Sequence, residues 1–310
     1  MHDGARFDQH GANGDALMVS VDELDALDLL IWLGRGEGAA QRQRCNQSTI
    51  SRRCQTVLRT FGLRLHKDGD GWPCTGRHAL LQREREVHQL HRLGTGLPLR
   101  VDASLLAAPL LRPGVPQGWW QGTLDEVGWQ RPLQLLRQRI LDAWVTGMGH
   151  ELPAAKSSWF QTIPLLRTPL QLAARSTDPL LLETGLQACD VAGIPRLAPR
   201  PGSYPQTEQL LGSWRHRQEP LLLGSQARRR AVLIGAQGDG PLRLLQYGTA
   251  VSLASQTDWR PLALNLGVTT ECCLVIHRDL AEHPRLLELL ALLRRRAAER
   301  TDQSSLVATP

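Results

Sequence analysis

Residues 39–65 read AAQRQRCNQSTISRRCQTVLRTFGLRL. Asn46 carries a short side chain that can accept from the open N–H groups of a helical first turn, and Gly62 can take the left-handed backbone that ends a helix, so a helix is expected between them. Inside it Ile50, Cys54, Val57 and Phe61 recur at steps of 4, 3 and 4, which places them on one face. At about 100° per residue the opposite face carries Ser48, Arg52, Gln55 and Arg59. Arginine and glutamine are the side chains that make bidentate contacts with guanine and adenine edges, and a helix N-terminus with a serine suits a phosphate. The row therefore has the chemistry of a recognition helix.

The flanking sequence agrees. Ser20 and Glu23 form a capping box before Leu24, Leu27, Leu30 and Ile31, with Gly34 as the stop, and a shorter helix is expected over residues 38–44. After the third helix, residues 63–67 read as a strand, 68–71 as a turn with two Asp-Gly pairs, and 72–74 as the returning strand. Three helices and a hairpin in this order make a winged helix-turn-helix, whose third helix enters the major groove. Charge is distributed to match. Residues 1–37 hold eight acidic side chains against Arg6 and Arg35, whereas residues 38–67 hold Arg42, Arg44, Arg52, Arg53, Arg59, Arg64 and Lys67 and no acid. So local a basic block is an electrostatic footprint for phosphate, double-stranded DNA in particular.

The quoted run resembles the N-terminal domain of LysR-type transcriptional regulators, whose pattern is Ala-Ala, a short gap, Ser-Gln-x-x-x-Ser-Arg, an apolar ladder, Gly and a Leu-rich wing. Ala39, Ala40, Gln47, Ser51, Arg52, Val57, Gly62 and Leu65 match it. The sequence departs at Gln43, where leucine is usual, at Leu58 for glutamate, at His66 for phenylalanine, and at His78, where a glycine follows the wing. With the resemblance, the candidate DNA-binding residues are Gln47, Ser48, Thr49, Ser51, Arg52, Arg53, Gln55, Arg59 and Lys67. Residues 75–93 lack proline and are free of glycine after Gly76, and Leu80, Val87 and Leu90 approximate a heptad seam. The resemblance makes this the linker helix on which such regulators dimerise, and it implies a tetramer through the second domain and an inverted-repeat operator.

Beyond residue 97, strands alternate with helices, as in an α/β domain. A strand is expected from residue 97 to 103, a helix capped by Ser104 over 105–111, a strand over 119–127, and a helix leading to a strand at 143–146. The Leu141-Asp142 pair, the run FQTIPLLRTPLQLAARSTDPL at 160–180, QYGTAVSL at 246–253 and LVIHRDLAEHPRLLELLALLRRR at 274–296 resemble successive parts of the LysR effector domain. That resemblance implies a fold of two α/β subdomains like a periplasmic binding protein, one formed by residues 98–167 and 265–300 and the other by 168–264, with a small-molecule cleft between them. The expected organisation is thus a tail to residue 19, a winged helix-turn-helix over 20–75, a linker over 76–96, an effector domain over 97–300 and a tail from 301. A cleft of this kind lies outside the carboxyl ends of the strands, which nominates Ser104, Trp129, Gln130, Thr146, Ser203 and Thr249 as effector contacts. Hydroxyls and helix N-termini there favour a small anion. The second possibility is a DNA-binding relative whose effector half serves only assembly.

Other classes fall away. The chain has 310 residues, 42% hydrophobic and 21% charged, which suits about two domains with cores of their own. No apolar stretch approaches the roughly 18 residues of a spanning helix, and the first 17 residues lack the apolar core of a signal peptide, so a cytoplasmic protein without membrane contact is expected. The six cysteines have neither CxxC nor disulfide-dense spacing, and Cys45, Cys54, His66 and Cys74 lack metal-ligand spacing. Cys272-Cys273 near His277 has no visible oriented base or oxyanion site, which makes core cysteines the better reading than a nucleophile. Gly235, Gly238 and Gly240 lead to no phosphate-loop lysine, so a turn is expected there. No enzyme activity, cofactor or metal is expected.

Overall fold

The computed structural model describes residues 19–68, 72–76, 78–153, 159–192, 194, 196–198, 202–212, 218–220, 245–253 and 256–307. The chain divides into two compact units, one up to Arg85 and one from Glu86 onward. In the first, helix α1 (Val21–Leu33) begins at the Ser20–Glu23 capping box and ends at Gly34, whose φ is +69°. Helix α2 (Gly36–Arg42) starts two residues before the expected position. Helix α3 (Gln47–Thr60) is capped by Asn46, whose Oδ1 accepts from the Thr49 N–H at 2.9 Å. Leu24, Leu27, Ala39, Ile50, Cys54, Val57 and Leu63 are buried, so the apolar stripe of α3 is its core face.

A polar clamp joins these helices where a leucine is usual. Arg53 donates to Gln43 Oε1 at 2.7 Å and to Asp22 Oδ2 at 2.8 Å, while Gln43 Nε2 donates to the Asp22 carbonyl at 2.8 Å. The wing is shorter than its sequence suggests: β1 (Arg64–Leu65) pairs antiparallel with β2 (Cys74–Thr75). Trp72 explains the later start of the return strand, because its indole N–H donates to the Gly34 carbonyl at 2.9 Å and ties that residue to the end of α1. Part of the expected turn, residues 69–71, lies outside the described residues. Helix α4 (Ala79–Thr95) starts later than the expected linker helix and continues through Gly94. Its Arg85 pairs with Asp28, a buried carboxylate of α1, at 2.7 Å.

In the second unit, strands β3 (Leu99–Ala103), β4 (Trp119–Gln121), β5 (Ala143–Thr146), β6 (Phe160–Arg175), β7 (Arg196–Ala198), β8 (Gln218–Pro220), β9 (Leu245–Thr249), β10 (Trp259–Pro261) and β11 (Thr269–His277) form one sheet of nine among the described residues. Its order is β4-β3-β5-β11-β6-β9-β7-β8, with β10 paired to β6. At either end is a parallel trio, β4-β3-β5 and β8-β7-β9, each with its first strand in the middle. The long antiparallel strands β6 and β11 run between the trios and make the unit two-lobed. Their ladder shifts register opposite Cys272 and Cys273, beside Pro164, a residue with no N–H to give to a ladder. One core gathers Leu99, Val101, Val145, Leu274 and Ile276 beneath Leu286, Leu289 and Leu293 of the closing helix; the other gathers Leu170, Leu172, Val191, Tyr204 and Leu245.

Helix α5 (Gln130–Arg137) precedes β5 as expected, and the turn between them buries Asp142. Its carboxylate accepts from Gln89 Nε2 at 2.7 Å, from Arg92 at 3.2 Å and from the Arg100 N–H at 2.7 Å, binding α4 to the sheet. Beside it Arg139 donates to Gln89 Oε1 at 2.9 Å and to both oxygens of Asp279. Burial disfavours the Asp279 charge, but the hydrogen bonds and charge of Arg139, with His277, outweigh it and lower the carboxyl pKa.

Three expectations are corrected. The helix expected over residues 105–111 is a 3-10 turn, Ala108–Leu110, because Pro109 has no N–H to extend an α-helical ladder and Pro113-Gly114 soon follow; Ser104 caps no α-helix. The strand expected over 119–127 stops at Gln121. Gly122 lies against the Asp102 carboxylate so closely that a Cβ there would collide with Oδ2, and Asp102 Oδ1 accepts from the N–H of Leu124, which turns the chain at φ +58°. The final helix (Pro284–Val307) runs into the expected tail, since nothing between residues 301 and 307 breaks it and each added residue contributes a hydrogen bond. Residues 1–18 and 308–310, also read as tails, lie outside the described residues.

Two stability predictions follow from these contacts. Asp142→Ala removes the acceptor of a buried cation and is expected to destabilise the second unit by about 3–5 kcal/mol, measured by denaturant unfolding. Arg53→Ala breaks a pair that is more than one-quarter solvent-exposed, so its cost in the same assay is expected to stay below about 1 kcal/mol.

Candidate nucleic-acid interface and ligand cleft

The outward face of α3 carries the predicted row. Gln47, Ser48, Ser51, Arg52, Gln55 and Arg59 are exposed, as is Lys67 beyond the wing strand, while Thr49 and Arg53 are partly buried. Local chemistry fixes several of them. Asn46 Oδ1 accepts from the hydroxyls of Ser48 and Thr49 at 2.7 and 2.8 Å, so both belong to the helix cap. Arg52 reaches Thr49 Oγ1 at 3.5 Å, and Arg59 Nε donates to the Gln55 carbonyl at 3.4 Å. Gln47 lies over Gly36 at the start of α2, where a Cβ would meet its Nε2 at 2.9 Å. Arg53 is held by the Asp22–Gln43 clamp, facing its own domain. Arg52, Gln55 and Arg59 are the long side chains this face projects into solvent.

Sequence reasoning passed over the clamp. Its signal was Gln43 itself, a polar residue where an apolar one is usual, and such a residue beside a core needs hydrogen-bonding partners. Asp28 gave a similar signal, a carboxylate inside an otherwise apolar helix run.

In the second unit the nominated cleft residues stand where the strands of the trios end, yet their hydroxyls are engaged. Ser104 is buried and its Oγ accepts from the Gly147 N–H at 3.0 Å; Thr146 is buried and its Oγ1 accepts from the Met148 N–H at 3.1 Å. Thr249, also buried, begins helix α7 (Ala250–Leu253): its Oγ1 accepts from the Ser252 N–H at 3.2 Å, and its own N–H donates to Ser252 Oγ at 2.8 Å. Trp129 precedes α5, half-buried, with its main-chain N–H donating to Gln130 Oε1 at 3.2 Å; its indole nitrogen is enclosed and finds no acceptor among the described residues. Ser203 is half-buried before helix α6 (Pro205–Leu210), with its carbonyl near Gly128.

Beside them sits a group that the sequence did not flag. The Glu151 carboxylate, buried in a 3-10 turn after β5, accepts from the main-chain N–H groups of Gln206 and Thr207 at 3.1 and 2.5 Å. Its neighbour His150 meets the Thr207 hydroxyl at 2.8 Å, and burial lowers the imidazole pKa. Burial raises the Tyr204 phenol to about 12. Cys272 and Cys273 are buried strand residues of β11; burial raises both thiols, Cys272 to about 12, which keeps them protonated and unreactive at neutral pH. Among the described residues no helix is long and apolar enough to cross a membrane.

No family model matches the sequence, and no curated protein does either. Solved structures do. A full-length OxyR variant from Pseudomonas aeruginosa superposes with a TM-score of 0.50 at 16% identity, over 90% of this chain and 94% of its own. CbnR, a LysR family transcriptional regulator, gives 0.50 at 16% identity over 90% of this chain and 99% of its own. An OxyR mutant from Corynebacterium glutamicum gives 0.50 at 14% identity, with coverages of 94% and 95%. At such identities the likeness speaks to architecture: this chain has, nearly end to end, the fold of full-length LysR-type regulators, a winged helix-turn-helix followed by a two-lobed α/β domain.

Proposed function

We propose that the protein is a sequence-specific, DNA-binding transcriptional regulator of the LysR type, and not an enzyme. The observation that carries this reading is the exposed row Arg52, Gln55 and Arg59 on the face of α3 opposite its buried stripe. Arg52 lies in the first half of the helix, where base edges are reached, and Arg59 lies farther along, toward the phosphates. Gln47, Ser48, Thr49 and Ser51 contribute at the helix start, where the cap orients hydroxyls and open N–H groups, and Lys67 adds a phosphate contact from the wing. Arg53 acts through the clamp by setting the pitch of α3 against α1. CbnR, a LysR family transcriptional regulator whose fold this chain resembles, agrees with this class.

Dimerisation is assigned to α4. Its Leu80, Val87 and Leu90 are 71%, 54% and 62% exposed at heptad-like spacing, an apolar stripe that a second copy of the helix covers. A two-fold dimer reads an inverted repeat, and pairing of dimers through the second unit gives the tetramer. The organisation proposed is a DNA-binding domain over residues 20–75, a linker over 76–96 and an effector domain over 97–300, acting in the cytoplasm. A small molecule modulates binding from the crevice at the strand ends, near Ser104, Trp129, Gln130, Thr146, Ser203 and Thr249. The engaged hydroxyls favour a second reading as well, in which the two-lobed unit serves assembly alone.

Footprinting on operator DNA tests the first assignment. Arg52→Ala is expected to lose about 1–3 kcal/mol of discrimination between sites. Arg59→Ala is expected to weaken binding at all sequences alike and to flatten the salt dependence. An Arg52→Ala footprint identical to wild type in place and affinity overturns the reading. For the dimer, Val87→Glu with Leu90→Glu is expected to give a monomeric mass in sedimentation and to abolish the preference for paired half-sites. A dimer of undiminished affinity refutes the role of α4.

A further inference from the structure

Side chains of each lobe cross the crevice between them. Leu106, Val127 and Met148 leave the carboxyl ends of β3, β4 and β5 in the first lobe, yet all three pack with the core of the second lobe. Val251 of α7 makes the reverse crossing and packs with the core of the first. At the same ends Glu151 is 2% exposed and its two oxygens accept from successive N–H groups of α6, which belongs to the other lobe. His150 bonds Thr207, so a second polar link crosses between the same two short segments.

The two kinds of contact have different physical roles. Apolar side chains seated in the opposite core favour closure without fixing its angle. A buried carboxylate is tolerated only when its oxygens are hydrogen-bonded, and Glu151 finds those donors solely when α6 is drawn against β5. Separation of the lobes strips both oxygens of their main-chain partners, so this contact defines the closed register.

We propose that Glu151 is an internal latch that holds the two lobes closed against each other. An effector that enters at these strand ends therefore competes with the Glu151 contact. This consequence rests on the regulatory reading above; the latch does not.

The test is hydrogen–deuterium exchange on the full-length protein without DNA, comparing wild type with Glu151→Ala and Glu151→Gln. The latch predicts at least tenfold faster exchange in Glu151→Ala at Gln206 and Thr207 and across residues 104–107, 127–130 and 146–151, with β11 and the final helix still protected. Glu151→Gln keeps one accepting oxygen and is expected to fall between. Wild-type protection across both segments in a folded Glu151→Ala variant overturns the latch. Should that variant fail to fold, Glu151→Gln with wild-type exchange overturns it equally. Because the measurement involves no DNA, a failed latch leaves the DNA-binding assignment standing, and a chain that binds no operator can still display the latch.

Discussion

The buried carboxylate of Asp142 organises the second unit. A charge with no solvent exposure survives only where donors surround it, and here they come from two directions: Gln89 and Arg92 on α4, and the main chain of β3 at Arg100. The position of the helix against the sheet is thereby set by the carboxylate's geometry. Arg139 extends the network to Asp279, beyond β11, so α4 and the turn after the last strand meet around one set of charges. The first unit repeats the device with Asp28 and Arg85. In each unit the segment of α4 is held by a specific ionic contact, which leaves the other side of the helix, with Leu80, Val87 and Leu90, available to a partner.

On α3 the same economy of charge separates residues that look equivalent in sequence. Arg52 and Arg53 are adjacent arginines in a basic block, but one turns to solvent and the other closes a clamp on Asp22 and Gln43. A helix rotates about 100° between neighbours, so consecutive residues serve different surfaces. Replacement of the usual leucine by Gln43 is coherent with this arrangement, since its amide supplies one acceptor to Arg53 and one donor to α1.

The two-lobed unit uses the polar groups at its strand ends within its own fold. Ser104, Thr146 and Thr249 each stabilise a local turn, and Glu151 takes both N–H groups that open α6. Hydroxyls at such junctions are first of all caps, and a buried cap satisfied by main-chain partners is available to another molecule only when the turn it holds is rearranged.

The sequence by itself determined the elements whose signals are local. The Ser20–Glu23 box, Asn46, Gly34 and Gly62 are caps and stops that act within one turn, and the stripe of α3 is a periodicity read without knowledge of neighbours. The exposed seam of α4 was legible for the same reason. Tertiary structure alone decided the pairings between residues 31 to 140 positions apart: Arg53 with Asp22, Arg85 with Asp28, Gln89 with Asp142, Glu151 with α6, Arg139 with Asp279. It also decided where β4 ends, because the limit is a carboxylate from another strand pressed against Gly122. Local hydrogen bonds and periodicity depend on side chains a few residues apart, whereas a buried charge is settled by whichever donor the fold brings to it, and no spacing in the chain encodes that meeting.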